Sequence, residues 1–211
     1  MIRRAGPLLA LVAALACAGP AAATQDAYPA LYNVRGVASN DVLNVRAEPT
    51  ASAPIVGSLA FDQMDVEVLE LAPGVNWGLV NTQEGTGWVS LAYMLRQPGQ
   101  YFGAFPEVAR CSGTEPFWGL SSDGIGYVLS GPDMPDTAFS ETWRGSSIGR
   151  RDRHAMTLQS ADPALSEGTA VIAYAECSDG MSDRQYGLTV DLLLRGTAGV
   201  TYYTGCCTLQ P

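Results

Sequence analysis

The sequence predicts an all-β protein built as a small barrel followed by a second antiparallel barrel or sandwich stabilised by disulfides. Three observations carry this expectation. Strand-length apolar runs, rich in β-branched and aromatic residues and bounded by turn residues, recur along almost the whole chain. Helical periodicity is absent apart from a short turn at Pro163-Ala164-Leu165. Beyond the N-terminal segment the cysteines are Cys111, Cys177, Cys206 and Cys207, an even set of the kind that forms disulfides in an exported protein.

The chain of 211 residues has room for a leader and two domains. It starts with the basic Met1-Ile2-Arg3-Arg4, continues with an apolar run from Leu8 to Ala16, and reaches the small-residue site Ala21-Ala22-Ala23. Residues 1–23 therefore read as a secretory signal peptide, with Thr24 the mature start and a periplasmic or extracellular location. The apolar run is shorter than the roughly 20 residues a spanning helix needs, so no transmembrane segment is expected in the mature chain. Ala14-Leu15-Ala16-Cys17 is a degenerate lipoprotein box that would instead anchor the chain by lipid at Cys17, and cleavage after Ala23 is the preferred reading.

The mature terminus up to Ala30 is expected to be flexible. A first strand follows at residues 31–37, then a turn at Ser39-Asn40-Asp41. The stretch that organises the first unit opens on Leu43-Asn44-Val45-Arg46-Ala47-Glu48-Pro49 and closes on Gly87-Trp88-Val89-Ser90-Leu91-Ala92-Tyr93-Met94-Leu95. Between them lie Ile55-Val56-Gly57, Asp65-Val66-Glu67-Val68-Leu69 and Trp77-Gly78-Leu79-Val80. Short strands at this spacing make a small β-barrel over residues 31–96. Alternation of Val66 and Val68 with Glu67 points Glu67 outward. Residues 97–106, with their Pro and Gly, form a linker whose aromatics lie against a domain.

Residues 107–210 form the second unit. Strands over 117–121 and 125–130 flank the turn Ser122-Asp123-Gly124, and the proline-bearing residues 131–141 read as a loop. Met156 and Leu158 mark a further strand, residues 169–176 a central one, and Leu188, Val190, Leu192 and Leu194 a half-buried one that turns back at residues 196–199. Adjacent Cys206 and Cys207 cannot bond each other without strain, so Cys111 pairs with one of them and Cys177 with the other.

The first unit also resembles the bacterial SH3-like domain, through its order of Leu-Asn-Val-Arg, a Pro, a Val-Gly-Ser-Leu step, a Trp and a closing Gly-Trp-Val. That resemblance implies recognition of peptidoglycan or a peptide segment in a groove, for which Asn44, Arg46, Glu48, Trp77, Trp88 and Tyr93 are the candidates. The plainer reading gives the tryptophans to packing and Arg46 to a tie between strands. In the second unit, Gly113-Thr114-Glu115-Pro116-Phe117-Trp118 and Cys177-Ser178-Asp179-Gly180-Met181-Ser182-Asp183-Arg184 resemble segments of an uncharacterised family of proteobacterial envelope proteins and lipoproteins, which brings no activity.

Formal charge is −9, there is no lysine, and loss of Arg3 and Arg4 with the leader makes the chain more acidic still. Nucleic acid is excluded as a partner, because phosphate neutralisation supplies most of that affinity. Peptidoglycan or an envelope protein is the expected partner, held by shape and hydrogen bonds.

Glu115, Asp179, Asp183 and Arg184 are candidates for a polar pocket in the second unit, with Arg184 clamping Glu115 or Asp183. The plainer reading is a loop braced by its own carboxylates and a disulfide. No metal or cofactor is expected: the Asp-x-Asp-x-Asp-Gly calcium spacing is missing, and one histidine with oxidised cysteines does not build a zinc site. An enzymatic alternative comes from Arg110-Cys111-Ser112-Gly113, which resembles the Asp-Cys-Ser-Gly nucleophile segment of NlpC-type cell-wall cysteine peptidases, with His154 downstream as base. Arg110 departs from that pattern, Thr114-Glu115-Pro116 breaks the helix it requires, and His154 sits in a charged, solvated stretch. A non-enzymatic binding protein is the preferred reading, and an envelope assembly or inhibitor protein that binds another protein through its second domain is the third.

Overall fold

The computed structural model describes residues 25–83 and 85–210. The expected signal peptide and Cys17 lie outside the described residues. The first unit is one antiparallel sheet of seven strands: β1 (Ala30–Val34), β2 (Val42–Arg46), β3 (Ile55–Ala60), β4 (Val66–Leu71), β5 (Trp77–Asn81), β6 (Thr86–Ser90) and β7 (Met94–Arg96). Their order is β3-β2-β6-β5-β4-β1-β7, and a 3-10 turn at Leu91–Tyr93 leads into β7. The sheet curls around Tyr32, Leu43, Val45, Val68, Val80 and Val89, one face of each strand as period-two alternation requires. Gly78 and Gly87 let strands approach closely: a Cβ on either would lie 2.6 Å from Val68 or 2.5 Å from Val45.

The second unit resolves the choice between barrel and sandwich. It is a closed eight-stranded barrel, built from β8 (Arg110–Thr114), β9 (Phe117–Ser122), β10 (Tyr127–Gly131), β11 (Met134–Ser146), β12 (Arg153–Gln159), β13 (Glu167–Cys177), β14 (Tyr186–Gly196) and β15 (Gly199–Thr208). Consecutive strands pair antiparallel, and β15 closes on β8 through Cys206↔Ser112, Cys207↔Cys111 and Thr208↔Arg110. Leu120, Leu129, Met156, Ile172, Leu188 and Leu192 fill the interior. Closure leaves the barrel no free sheet edge.

Four expectations change. Residues 131–141 are not a loop, because β11 starts at Met134; Pro135 is tolerated as its second residue, beside a register shift, where a missing N–H breaks no regular ladder. The run at 169–176 belongs to β13, whose neighbours close round a barrel, so it is no more central than the rest. His154 is buried, not solvated: it lies on β12 between the rings of Phe105 and Tyr174 at 5.7 Å each, with Nδ1 3.0 Å from the Ser146 hydroxyl. Burial lowers its pKa. Glu67 does not face solvent either, and the second barrel covers it.

The disulfides are Cys111–Cys207 and Cys177–Cys206. Neighbouring side chains on a strand face opposite ways, so Cys207 turns into the barrel core beside Cys111, while Cys206 turns outward to Cys177.

Residues 97–106 join the units without swinging free. Phe105 packs against the second core, Phe102 lies 6.1 Å from Tyr174, and Arg151 of the barrel stacks on Phe102. The units also touch directly. Glu67 on β4 accepts from the Leu209 N–H at 2.9 Å and from the Thr208 hydroxyl. Asn81 and Gln185 exchange a reciprocal pair of bonds at 2.9 and 3.0 Å, and Pro29 seats against Gly187.

Candidate functional site

Two clefts carry the residues singled out in the sequence. The first lies on the seven-stranded sheet, between the β1–β2 loop, β2, β5 and the 3-10 turn, and holds about 430 Å³. Asn44 and Arg46 reach it from β2, Trp77 from the start of β5, Ser90 from the end of β6, and Tyr93 from the 3-10 turn. The ladder explains the grouping: Trp77 pairs with Ser90, and the next strand over is β2. Trp77 is half-buried and Tyr93 is 47% exposed, so each presents ring surface to the cleft. One acid, Asp41, and one base, Arg46, line it, which leaves no net charge.

Arg46 has a structural bond as well. Its Nη1 donates to the Ala53 carbonyl at 2.7 Å and pins the turn that follows β2. Glu48 and Trp88 do not join the cleft. Glu48 is exposed in the turn after β2, and Trp88 sits two residues before Ser90 on β6, opposite Leu79 and Arg46, beyond the cleft's edge.

Residues 41–94 match the family model of the bacterial SH3 domain. This segment is a bacterial SH3 domain. The match spans β2 to the start of β7, and β1 extends the same sheet. No curated protein and no solved structure matches the chain. The SH3 domain and the two disulfides are consistent with an exported protein. Among the described residues no helix is long and apolar enough to cross a membrane.

The second cleft, about 1020 Å³, runs between the β8–β9 hairpin and the loop after β13. Glu115 and Asp179 line it. Asp179 is the brace of its own loop: its carboxylate accepts from the N–H groups of Met181 and Ser182, both at 3.0 Å, and from the Ser182 and Tyr186 hydroxyls. The two backbone bonds hold its pKa below the ordinary value. Thr114 Oγ1 donates to the Asp179 carbonyl and ties the loop to β8. Asp183 and Arg184 do not line this cleft. Asp183 turns towards Gly85 of the SH3 domain, and Arg184 stacks towards the Tyr186 ring at 5.9 Å. Among the described residues Arg184 makes no ion pair with Glu115 or Asp183, so the expected clamp is not formed.

Cys111, the nucleophile of the peptidase alternative, is bonded to Cys207 and buried in the core. A thiol-based attack needs the thiolate. His154 lies on β12, with three strands between it and β8 in either direction round the barrel, so the two residues occupy opposite walls. No group of three His, Cys, Asp or Glu side chains among the described residues converges on a point that would hold a metal ion.

Sequence reasoning passed over Glu67 as a contact to the second barrel and Arg110 except as a departure from a motif. Pro29 and Leu31 precede the SH3 match yet carry contacts that lock the units together, and Asp26 pairs with Arg96 at the edge of the same sheet. No local signal distinguishes such residues, because their partners lie far along the chain.

Proposed function

We propose that the protein is an exported, non-enzymatic binding protein of the cell envelope, whose SH3 domain recognises peptidoglycan or a peptide segment in the Trp77–Tyr93 cleft. The observation that carries this reading is the composition of the cleft: two partly exposed aromatic rings beside the amide of Asn44 and the hydroxyl of Ser90, with balanced charge. Rings of this kind stack on sugar or peptide faces, and amide and hydroxyl groups fix orientation. A neutral cleft on an acidic chain binds by contact rather than by long-range attraction, so affinity depends little on salt.

Co-sedimentation of the chain from Thr24 onward with purified sacculi across a salt series tests this. The expected result is pelleting that changes little with salt and falls at least fivefold in Trp77→Ala. Undiminished pelleting in Trp77→Ala, or none in the unaltered chain at any salt, overturns it.

A further inference from the structure

A third pocket, of about 480 Å³, opens on the barrel where β8, β15 and the end of the Cys177 loop meet. Arg110, Ser112, Arg184, Tyr186, Thr208 and Gln210 line it, with the Cys206 half of a disulfide in the wall. The chain has 21 acidic residues against 12 arginines, yet among the described residues this lining contains two arginines and no carboxylate. Among the described residues neither arginine is in an ion pair. The Arg184 Nε is enclosed and, among the described residues, has no hydrogen-bond partner. A buried guanidinium N–H without an acceptor is costly, and an incoming acceptor removes that cost.

Among the described residues, Glu67 and Asp179 are carboxylates bonded to side chains of this lining, and both are occupied. Glu67 takes the Thr208 hydroxyl and the Leu209 N–H, and Asp179 takes the Tyr186 hydroxyl and its own loop. Both lie outside the lining. Thr208 and Tyr186 therefore hold the walls, while the two guanidinium groups, the Ser112 hydroxyl and the Gln210 side-chain amide remain as donors. A planar guanidinium fork matches the two oxygens of a carboxylate.

We propose that this pocket is an oxyanion site that takes the carboxylate at the end of a peptide chain. The peptide source rests on the envelope-binding reading above, whereas the oxyanion chemistry rests on the pocket's own residues. The site lies on the second barrel and is separate from the SH3 cleft.

The test is a titration of the ¹⁵N-labelled chain, read at the arginine Nε–H resonances. N-acetyl-alanyl-alanine is the probe, its C-terminal amide the neutral control, and inorganic phosphate the competing oxyanion. Saturable shifts of the Arg184 Nε–H with the free acid, none with the amide, and at least tenfold weaker binding in both Arg110→Gln and Arg184→Gln are expected. Arg110 is exposed on β8, so Arg110→Gln keeps the test valid if Arg184→Gln perturbs the fold. Saturation by phosphate without response to the dipeptide overturns the carboxylate assignment. Absence of saturation by either anion, or affinity unchanged in Arg110→Gln, overturns the site, and sacculus pelleting that persists shows that the failure belongs to this pocket alone.

Discussion

Replacing Glu67 by alanine should loosen the grip of the SH3 domain on the barrel. The carboxylate accepts one bond from a buried backbone N–H and one from a hydroxyl, both on the segment that leaves β15. With Glu67 protonated, such bonds contribute about 0.5–1.5 kcal/mol each, and an orphaned buried N–H costs about 1–3 kcal/mol. A net loss of about 2–4 kcal/mol is expected at pH 4, or roughly 4–16 °C in Tm for a chain of this size, and it shrinks as ionisation adds the desolvation of the carboxylate, which alanine removes. Glu67→Gln retains a carbonyl acceptor and should lose far less. The pair also has a signature in pH. Burial raises the Glu67 pKa from its ordinary 4.5, outweighing the opposing bonds from Leu209 and Thr208 and the charge of Arg184. A raised carboxyl contributes stability that is complete below its unfolded pKa and lost as pH rises through the folded value. Wild type should therefore lose stability relative to Glu67→Gln as pH rises from about 4.5. Urea titrations of all three forms between pH 4 and pH 8 measure this. An alanine variant within about 0.5 kcal/mol of wild type at pH 4, or a wild-type-to-Gln difference that is constant with pH, refutes the reasoning.

The two disulfides should differ in strength. Cys111–Cys207 closes a separation of 96 residues and Cys177–Cys206 one of 29. Loop entropy gives about 4.7 and about 3.6 kcal/mol respectively, so denaturation of the Cys111→Ala/Cys207→Ala chain should show the larger loss. Gly187→Ala places a Cβ 2.5 Å from the Pro29 ring, at the contact between units. It should cost about 1–3 kcal/mol, read in the same titration, and a silent substitution would show that this contact yields freely.

Period-two alternation made the strands legible, because an apolar face must go somewhere: β12, β14 and the valines of β4 read directly from the sequence. Alternation distinguishes two faces but does not say what covers the outer one. That is why Glu67 read as solvated. Four charged residues before His154, Arg150 to Arg153, hid a buried ring in the same way. The two prolines at 132 and 135 hid the start of β11, since proline's cost depends on where the ladder is irregular. In the SH3 cleft, residue order identified Asn44, Arg46, Trp77 and Tyr93 together, but Trp88 lies one ladder step too far and Glu48 in a turn. Asp179, Asp183 and Arg184 lie within six residues, yet the chain turns at Gly180 and sends Asp179 and Arg184 into different pockets.

The barrel's seam has a consequence for the order of folding. Its first strand, β8, has no partner on one side until β15, the last of the barrel's strands to be synthesised, is available. Until then the strands from β8 to β14 carry two open edges, β8 and β14, the situation in which strands pair wrongly or aggregate. Contacts this distant in sequence form slowly. The alternation of Cys206 and Cys207 then acts as a proofreading step. A chain that slips by one position presents each sulfur to the wrong wall, and neither native crosslink closes.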